Sequence, residues 1–165
     1  EVLRSLVGSE MCIRDRVVAM IAGYGLLAFR DPFGIRPLCV GQSKDGTVMV
    51  ASESVALEGT GHDLLRDVAP GEAMFVSLDG QVRFEQCADK PQLYPCVFEF
   101  VYLARPDSTI DGISVYQARL NMGETLAQRV VSQVPPDQID VVIPIPESSR
   151  PSATELAQLL GKPYR

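Results

Sequence analysis

The stretch Ile139–Leu160, IDVVIPIPESSRPSATELAQLL, decides the fold of the second half of the chain. It opens with an apolar run rich in β-branched residues, Val141–Ile143, which predicts a strand buried on both faces. Pro144 and Pro146 end that strand because proline has no amide hydrogen to donate to a sheet. The residues that follow have helical spacing, so the stretch predicts a strand, a loop and a helix in that order.

The loop between this strand and helix is the strongest candidate anion site in the chain. It carries Glu147, Ser148 and Ser149. A hydroxyl-rich loop that leads into a helix aims backbone N–H groups and the positive end of the helix dipole at one point, where anions bind. Ser152 and Glu155 have the spacing of a capping box for that helix. The alternative is an ordinary loop with a capped helix, which local physics alone favours.

Composition indicates a globular protein and excludes several functional classes. Hydrophobic residues make up 46% of the 165 residues and charged residues 22%, and the net charge is −6. A negative net charge argues against a nucleic-acid partner, which would need a basic face. The longest apolar run, Val17–Phe29, is interrupted by glycine and is shorter than the roughly 20 residues of a membrane span. The cysteines show no regular spacing, so we expect a reduced, cytoplasmic protein with no membrane partner.

The first residues stand apart from the rest. The chain does not begin with Met, and residues 1–16 end in the run SLVGSEMCIRDR, which fits no periodicity. This segment looks like translated adaptor sequence, so we predict that it is non-native and exclude it from the fold argument. The chain as a whole is therefore predicted to be an internal fragment.

Residues 17–85 predict antiparallel sheet with little helix. Short apolar runs alternate with strong turn signals, which is the pattern of consecutive hairpins. The predicted strands are 17–21, 25–29, 38–40, 47–51, 73–77 and 81–84, with a turn at 31–34 and a short helix after Ser52, Glu53 and Ser54.

The composition changes after Glu85. Residues 86–95 contain two prolines and several polar residues, which is typical of a linker or domain edge. The run 97–103, VFEFVYL, alternates aromatic and aliphatic residues and predicts a strand. Residues 114–134 have helical spacing, and Ser114 with Gln117 fits a capping box. A helix followed by the opening strand and a second helix predicts the start of a parallel α/β sheet, so the fold class is α+β passing into α/β.

Other polar groups have a structural reading beside the functional one. Arg30, Asp31 and Arg36 could bind an anion, but a turn held by its own charges is favoured. The Ser52–Ser54 run is read as a helix cap rather than a serine nucleophile, since no basic partner is evident. His62 follows glycines and is read as a solvated loop residue rather than a general base. Arg105, Asp107 and Ser108 follow a predicted strand end, where α/β sites gather, and are kept as candidates.

Five runs in this order and spacing carry a family resemblance: GLLAFRDPFGIRPLCVG, VMVASESVAL, LLRDVAPGEA, PCVFEFVYLARPDS and DVVIPIPESS. They resemble the glutamine phosphoribosylpyrophosphate amidotransferases (amidophosphoribosyltransferases). The likeness covers Val17–Arg165, and five long runs in register make it far more specific than any one of them.

The resemblance implies a fold and an activity. Residues 17–85 would be the end of an antiparallel N-terminal-nucleophile glutaminase domain, 86–95 a linker, and 96–165 the start of a phosphoribosyltransferase-type parallel sheet. The family's enzymes are pentosyltransferases with glutamine amidotransferase activity. They convert phosphoribosyl pyrophosphate and glutamine to 5-phosphoribosylamine, glutamate and pyrophosphate, the first committed step of de novo purine (IMP) biosynthesis.

The resemblance also implies roles for particular residues. Glu147, Ser148 and Ser149 fall on the family's substrate loop for pyrophosphate, and Ser148 matches a position associated with Mg²⁺. Tyr102 and Arg105 match the interdomain segment near an internal ammonia path. Cys96 matches an iron-sulfur ligand of one branch of the family, although the run at 86–89 is more similar to the branch without a cluster.

No catalytic residue is assigned, because the family's nucleophile is an N-terminal cysteine and Cys12 does not stand at the chain start. Implied partners are phosphoribosyl pyrophosphate, glutamine, purine nucleotides as feedback inhibitors, and further copies of the chain in a homo-oligomer, a tetramer. Two alternatives remain open: a stand-alone phosphoribosyltransferase, and a purine-nucleotide-binding regulatory module without catalysis.

The 165-residue chain should release no glutamate from glutamine, since none of its cysteines carries a free α-amino group that could serve as base. An enzyme-coupled glutamate assay on the purified chain measures this. Glutamate release above that of a heat-denatured sample would contradict the assignment.

Overall fold

The computed structural model describes residues 16–165, and the chain divides into two compact units, which are treated separately below. The first unit ends at Cys96 and the second is Val97–Arg165. The segment predicted to be non-native lies outside the described residues, except that its last residue, Arg16, begins the first strand. Among residues 16–165, no helix has both the length and the apolar character needed to span a bilayer.

The first sheet of the first unit has four antiparallel strands in the order β1-β2-β6-β7. Its strands are β1 (Arg16–Ile21), β2 (Gly25–Arg30), β6 (Glu72–Ser77) and β7 (Val82–Gln86). Both hairpins predicted from the turn signals, β1-β2 and β6-β7, are confirmed.

The second sheet has three antiparallel strands in the order β4-β3-β5. These are β3 (Cys39–Ser43), β4 (Val48–Ala51) and β5 (His62–Asp67), and the short helix α1 (Ser54–Glu58) follows β4. The predicted helix is confirmed, but its N-cap, Glu53, makes no side-chain capping bond, and Ser54 is buried as the first helical residue. The loop expected around His62 is wrong, since that residue begins β5.

Strand β2 is covered on both faces. Leu27 and Phe29 belong to one buried cluster, whereas Ala28 belongs to another that includes Leu38 and Met74. Successive side chains of a strand point to opposite faces, so this alternation places β2 between two apolar layers. Fully burying each large apolar side chain contributes about 1.5–3 kcal/mol to stability. Because β2 has buried apolar side chains on both faces, it forms the centre of the first unit.

Arg30, the last residue of β2, is fully buried and holds the loop that follows. Its guanidinium donates to the carbonyl oxygens of Gly34 at 2.8 Å, Arg36 at 2.8 Å and Val68 at 2.9 Å. Hydrogen bonds from a charged donor to buried carbonyls are among the stronger ones in proteins. The structural reading of this arginine is confirmed.

Asp31 stabilises the same turn from the carboxylate side. Its two carboxylate oxygens accept from the N–H groups of Phe33 and Ile35, each at 2.9 Å. Aspartate commonly bonds the backbone of the turn that it opens. The Asp31 carboxylate therefore fixes the turn.

The segment predicted as a linker hydrogen-bonds along that turn, within the first unit. The N–H groups of residues 92, 94 and 96 donate to the carbonyl oxygens of residues 32, 33 and 35, at 3.0, 2.7 and 2.9 Å respectively. The boundary between the two compact units falls after this segment.

The second unit is mainly helical. Its elements are a π-helical turn (Glu99–Leu103), the two-residue strands β8 (Thr109–Ile110) and β9 (Ile113–Ser114), the helix α2 (Val115–Val131), a 3₁₀ turn (Pro136–Gln138) and the helix α3 (Arg150–Leu160). Ser114 caps α2 by accepting from the N–H of Gln117 at 3.3 Å, which confirms the serine half of the predicted capping box. The side-chain amide of Gln117 donates instead to the Asn121 side chain, at 2.9 Å.

The strand predicted for 97–103 is wrong, because these residues include the π-helical turn. The N–H of Ala104 donates to the carbonyl of Glu99 at 2.9 Å, which closes the wide turn. Phe100 and Ala104 are buried together, whereas Tyr102 is exposed. Residues four apart lie on the same face of a helix, so the burial of Phe100 with Ala104 favours a helical turn. This burial outweighs the strand propensity of the aromatic residues in the run.

The strand predicted for Val141–Ile143 is reduced to one parallel bridge between Val142 and Tyr164. Val142 is buried, but Ile143 is 69% exposed, so burial on both faces is wrong. A parallel strand takes its ladder bonds from neighbouring strands, and within the described chain only the segment at Tyr164 lies beside it. The direction of pairing agrees with the predicted parallel connection through α3.

The capping box predicted for Ser152 and Glu155 is also wrong. Helix α3 begins earlier, with Ser149 as N-cap, so Ser152 lies within the helix. Its hydroxyl donates to the carbonyl oxygen of Arg119 in α2, at 2.7 Å. A tertiary hydrogen bond between two helices therefore replaces the local cap.

Helices α2 and α3 pack closely because Gly123 has no side chain at their contact. A Cβ at Gly123 would lie 2.5 Å from the Ser152 carbonyl oxygen and 2.9 Å from the Glu155 Cβ. The short Ala153 and Ala157 are the buried residues of α3. Small side chains let the helix backbones approach, and this contact fixes where α3 begins.

Arg30→Leu should lower the free energy of unfolding by roughly 3 kcal/mol or more, because three backbone carbonyls lose their donor and two of these hydrogen bonds are buried. Urea unfolding followed by circular dichroism measures the change. The control is Arg83→Leu, which removes an exposed arginine of β7 and should change stability by under about 0.5 kcal/mol. Equal effects of the two substitutions would contradict the role given to Arg30.

Candidate functional site

An open cleft of about 410 Å³ lies within the second unit. Its walls come from the π-helical turn and the loop after it, from α2, and from the loop that begins α3. The lining residues are Tyr102, Leu103, Ala104, Arg105, Pro106, Tyr116, Arg119, Glu147, Ser148, Arg150 and Pro151. The fold thus brings Glu147 and Ser148 together with Tyr102 and Arg105, which lie far apart in the sequence.

The first wall is the loop at the start of α3. The Glu147 carboxylate lies 3.0 Å from the Arg150 guanidinium, and both side chains are largely exposed. The N–H of Arg150 donates to the Glu147 carbonyl at 3.3 Å. Because the ion pair is solvated, it contributes little to stability and can exchange partners readily.

The three residues of this loop predicted to bind substrate differ in placement. Glu147 and Ser148 line the cleft. Ser149 is the N-cap of α3, and its hydroxyl donates to the carbonyl oxygen of Ile145. Its side chain therefore stabilises the loop locally, while its neighbours face the cleft.

The second wall carries Arg105, whose guanidinium forms a two-point ion pair with the Asp107 carboxylate, at 3.0 and 2.8 Å. Hydrogen bonding from Arg105 holds the pKa of Asp107 below its usual value of 3.8. Ser108 is buried, and its N–H donates to the Arg105 carbonyl at 3.1 Å. A guanidinium that bonds through two of its nitrogens in this way is suited to a carboxylate or a phosphate ligand.

Arg119 joins the two walls and was missed by the sequence reasoning. It is 3% exposed, and its guanidinium donates to the carbonyls of Phe100 and Ala104, at 2.7 Å each. The signal was present in the four-residue spacing of the buried positions of α2, which are Val115, Arg119, Gly123 and Ala127. An arginine on the buried stripe of a helix needs buried acceptors.

The cleft offers some, but not all, of the oxygen ligands that a magnesium ion takes. Glu147 offers a carboxylate and Ser148 a hydroxyl, and Mg²⁺ is commonly held by one or two protein oxygens together with substrate phosphates. Among residues 16–165, no group of three or more His, Cys, Asp or Glu side chains could hold a metal by itself.

Cys96 is a half-buried free thiol of the first unit. An iron-sulfur cluster is held by several thiolates, and the described residues gather no such set around Cys96. The residues present therefore do not by themselves fit a cluster.

His62, the one histidine, lies in the first unit. Its Nδ1 is 3.0 Å from the Thr60 hydroxyl, and its Nε2 is buried without a partner in the described part of the chain. His62 is not among the residues that line the cleft.

Together, the fold and the cleft define an α+β protein whose second unit presents a cleft lined by three arginines and by the carboxylate Glu147. Comparison with known proteins narrows that class. The chain is similar to amidophosphoribosyltransferases from Escherichia coli (57% identity over 152 residues), Haemophilus influenzae (53% over 153) and Saccharomyces cerevisiae (47% over 155). Each match covers 90% of this chain and 30% of the relative. No protein-family model matches.

Two solved structures are also similar to this chain. One is the glutamine phosphoribosylpyrophosphate amidotransferase from B. subtilis complexed with ADP and GMP, and the other is described as the allosteric regulatory enzyme of purine biosynthesis. Each has a TM-score of 0.77 and 38% identity over 86% of this chain. The family resemblance seen in the sequence is confirmed, as is the mixed α and β content. The chain spans about 30% of the length of the relatives that it matches, which agrees with the expectation of a partial sequence.

Arg105→Gln should raise the pKa of Asp107 toward 3.8, because the hydrogen bonds that favour the ionised carboxyl are lost. The Arg105–Asp107 pair stabilises the folded chain above pH 3.8, and this stabilisation is lost as the pH falls through the lowered pKa of Asp107. The variant lacks the pair, so its free energy of unfolding should not show that loss at acid pH. Carbon-detected NMR titration of the Asp107 carboxyl measures the change.

The matched control is Arg129→Gln in α2, which should leave the Asp107 titration unchanged. An Asp107 pKa that is the same with and without Arg105 would contradict the ion pair.

Proposed function

We propose that the longer protein to which this sequence corresponds converts phosphoribosyl pyrophosphate and glutamine to 5-phosphoribosylamine, glutamate and pyrophosphate. This is the first committed step of de novo purine biosynthesis. The observation that carries the proposal is the single cleft that gathers Glu147 and Ser148 with Tyr102 and Arg105. The similarity to amidophosphoribosyltransferases supports it.

The charges of the cleft suit a pyrophosphate group. Three arginines line it, Arg105, Arg119 and Arg150, together with the carboxylate Glu147. Arg105 and Arg150 are exposed and pair with carboxylates. A dense anion can compete for both guanidinium groups, since exposed ion pairs are individually weak.

In this proposal the loop 147–149 binds the pyrophosphate of the substrate. In this arrangement the Ser148 hydroxyl and the backbone at the start of α3 would face the negative charge that builds as the pyrophosphate leaves the ribose carbon. Glu147 and Ser148 would hold Mg²⁺, which, when bound, neutralises the charge of the leaving group. Ammonia forms the new carbon–nitrogen bond as the bond to pyrophosphate breaks.

The other wall would receive the nitrogen. Tyr102 lies within the π-helical turn and Arg105 lies in the loop after it, and both line the same cleft. In this proposal both side chains would lie beside the incoming ammonia molecule. We propose that they line the end of the internal ammonia path. Excluding water there protects the activated ribose carbon from hydrolysis.

We further propose that the first unit is the end of an N-terminal-nucleophile glutaminase domain. Its antiparallel sheets and buried β2 supply the frame, and no described residue is given a catalytic role. Purine nucleotides are proposed as feedback inhibitors, consistent with the ADP and GMP in the B. subtilis structure. A cytoplasmic homo-oligomer, a tetramer, completes the proposal.

Ser148→Ala in the full-length protein should lower phosphoribosylamine formation roughly 10- to 100-fold while sparing glutamine hydrolysis. Pyrophosphate release and glutamate release, assayed in parallel, separate the two activities. The control is Ser132→Ala at the exposed C-terminal end of α2, where the hydroxyl donates to the Arg129 carbonyl.

The control should keep both activities. Equal loss of both activities in Ser148→Ala would assign Ser148 a structural role only. Purine-nucleotide binding by a wild-type protein without turnover would favour the regulatory alternative instead.

A further inference from the structure

Arg119 makes an unusual connection within the second unit. Its guanidinium, donating at 2.7 Å to the carbonyls of Phe100 and Ala104, spans the π-helical turn. Helix ends leave carbonyl groups without intrahelical donors, and a buried carbonyl without a partner is costly. Arg119 therefore holds the turn that precedes Arg105 and carries Tyr102.

The same residue is tied to the opposite wall through its backbone. The Arg119 carbonyl accepts from the hydroxyl of Ser152 at 2.7 Å. Ser152 lies in the first turn of α3, directly after the loop with Glu147 and Ser148. One turn along α2, Gly123 keeps the two helices in close contact. The side chain of Arg119 therefore bonds to one wall of the cleft, and its backbone carbonyl bonds to the other.

We propose that Arg119 is a positioning residue that sets the separation of the pyrophosphate loop from the wall carrying Tyr102 and Arg105. The inference rests on the proposed function, since the two walls must meet one substrate from two sides. A displacement of about 1 Å between reacting groups can cost about 100-fold in rate. The tie from Arg119 to both walls limits such a displacement.

The guanidinium suits this task and an ammonium group does not. Its planar fork holds two carbonyl oxygens at fixed positions, whereas lysine offers one compact charge on a flexible stem. Single π-helical turns are frequent at functional sites, where they re-aim neighbouring side chains. Arg119 maintains such a turn beside the cleft.

The experiment uses the full-length protein with ammonium as nitrogen donor, so that only the transferase reaction is measured. Arg119→Lys should lower kcat/KM for phosphoribosyl pyrophosphate by about 10- to 100-fold per folded molecule. Circular dichroism gives the folded fraction at the assay temperature. The control Arg129→Lys changes an arginine of the same helix that lies outside the cleft, and it should keep the wild-type value.

A second pair of variants tests the same connection without touching the guanidinium. Ser152→Ala removes the hydroxyl that bonds the Arg119 carbonyl and should lower kcat/KM about tenfold, whereas Ser152→Thr keeps a hydroxyl and should restore most of the activity. If Arg119→Lys does not fold, this pair decides the outcome.

Three results would count against the inference. Unchanged kcat/KM per folded molecule in Arg119→Lys means that the arginine is only structural. If Arg119→Lys does not fold, equal activity of Ser152→Ala and wild type has the same meaning. A wild-type protein without ammonia-dependent transferase activity contradicts the proposed function, and this inference with it.

Discussion

The second unit depends on a buried guanidinium that satisfies backbone carbonyls outside regular secondary structure. Arg119 is donor to the carbonyls at both ends of the π-helical turn, and its own carbonyl accepts from α3. Without a donor, those buried oxygens would lose their hydrogen bonds to water and gain nothing in return. The walls of the cleft follow from this interaction, because the turn and the start of α3 are each fixed to α2.

The first unit also contains a buried arginine whose guanidinium donates to backbone carbonyls. Arg30 is fully buried and collects three carbonyls around the turn after β2. There the interaction fixes a turn and the segment that pairs with it. In both units a charge is buried because the backbone, rather than a carboxylate alone, supplies its acceptors. Arg105 and Arg150, by contrast, are exposed and pair with the carboxylates of Asp107 and Glu147.

Much of the architecture could be predicted from sequence because its signals are local. Glycine and aspartate turns placed the hairpins of the first unit, and Ser114 placed the start of α2. Two of the errors originate in tertiary contacts. The run 97–103 has strand propensity, yet Arg119 and the buried face of Phe100 stabilise a helical turn. Ser152 looked like a local cap but bonds across to α2. The cleft itself joins residues distant in the chain. The residue patterns pointed separately to Arg105 and to the loop 147–149, but they did not show that the two share one cleft.

Hydrogen–deuterium exchange of the full-length protein, with and without magnesium and phosphoribosyl pyrophosphate, tests the central claim most directly. We expect slower amide exchange in two separate segments, residues 99–105 and 147–153, when the substrate is present, since both walls would contact one ligand. The strand β5 (His62–Asp67), in the other unit, serves as internal reference and should exchange at an unchanged rate. Protection of only one wall, or of neither, would contradict a shared substrate cleft.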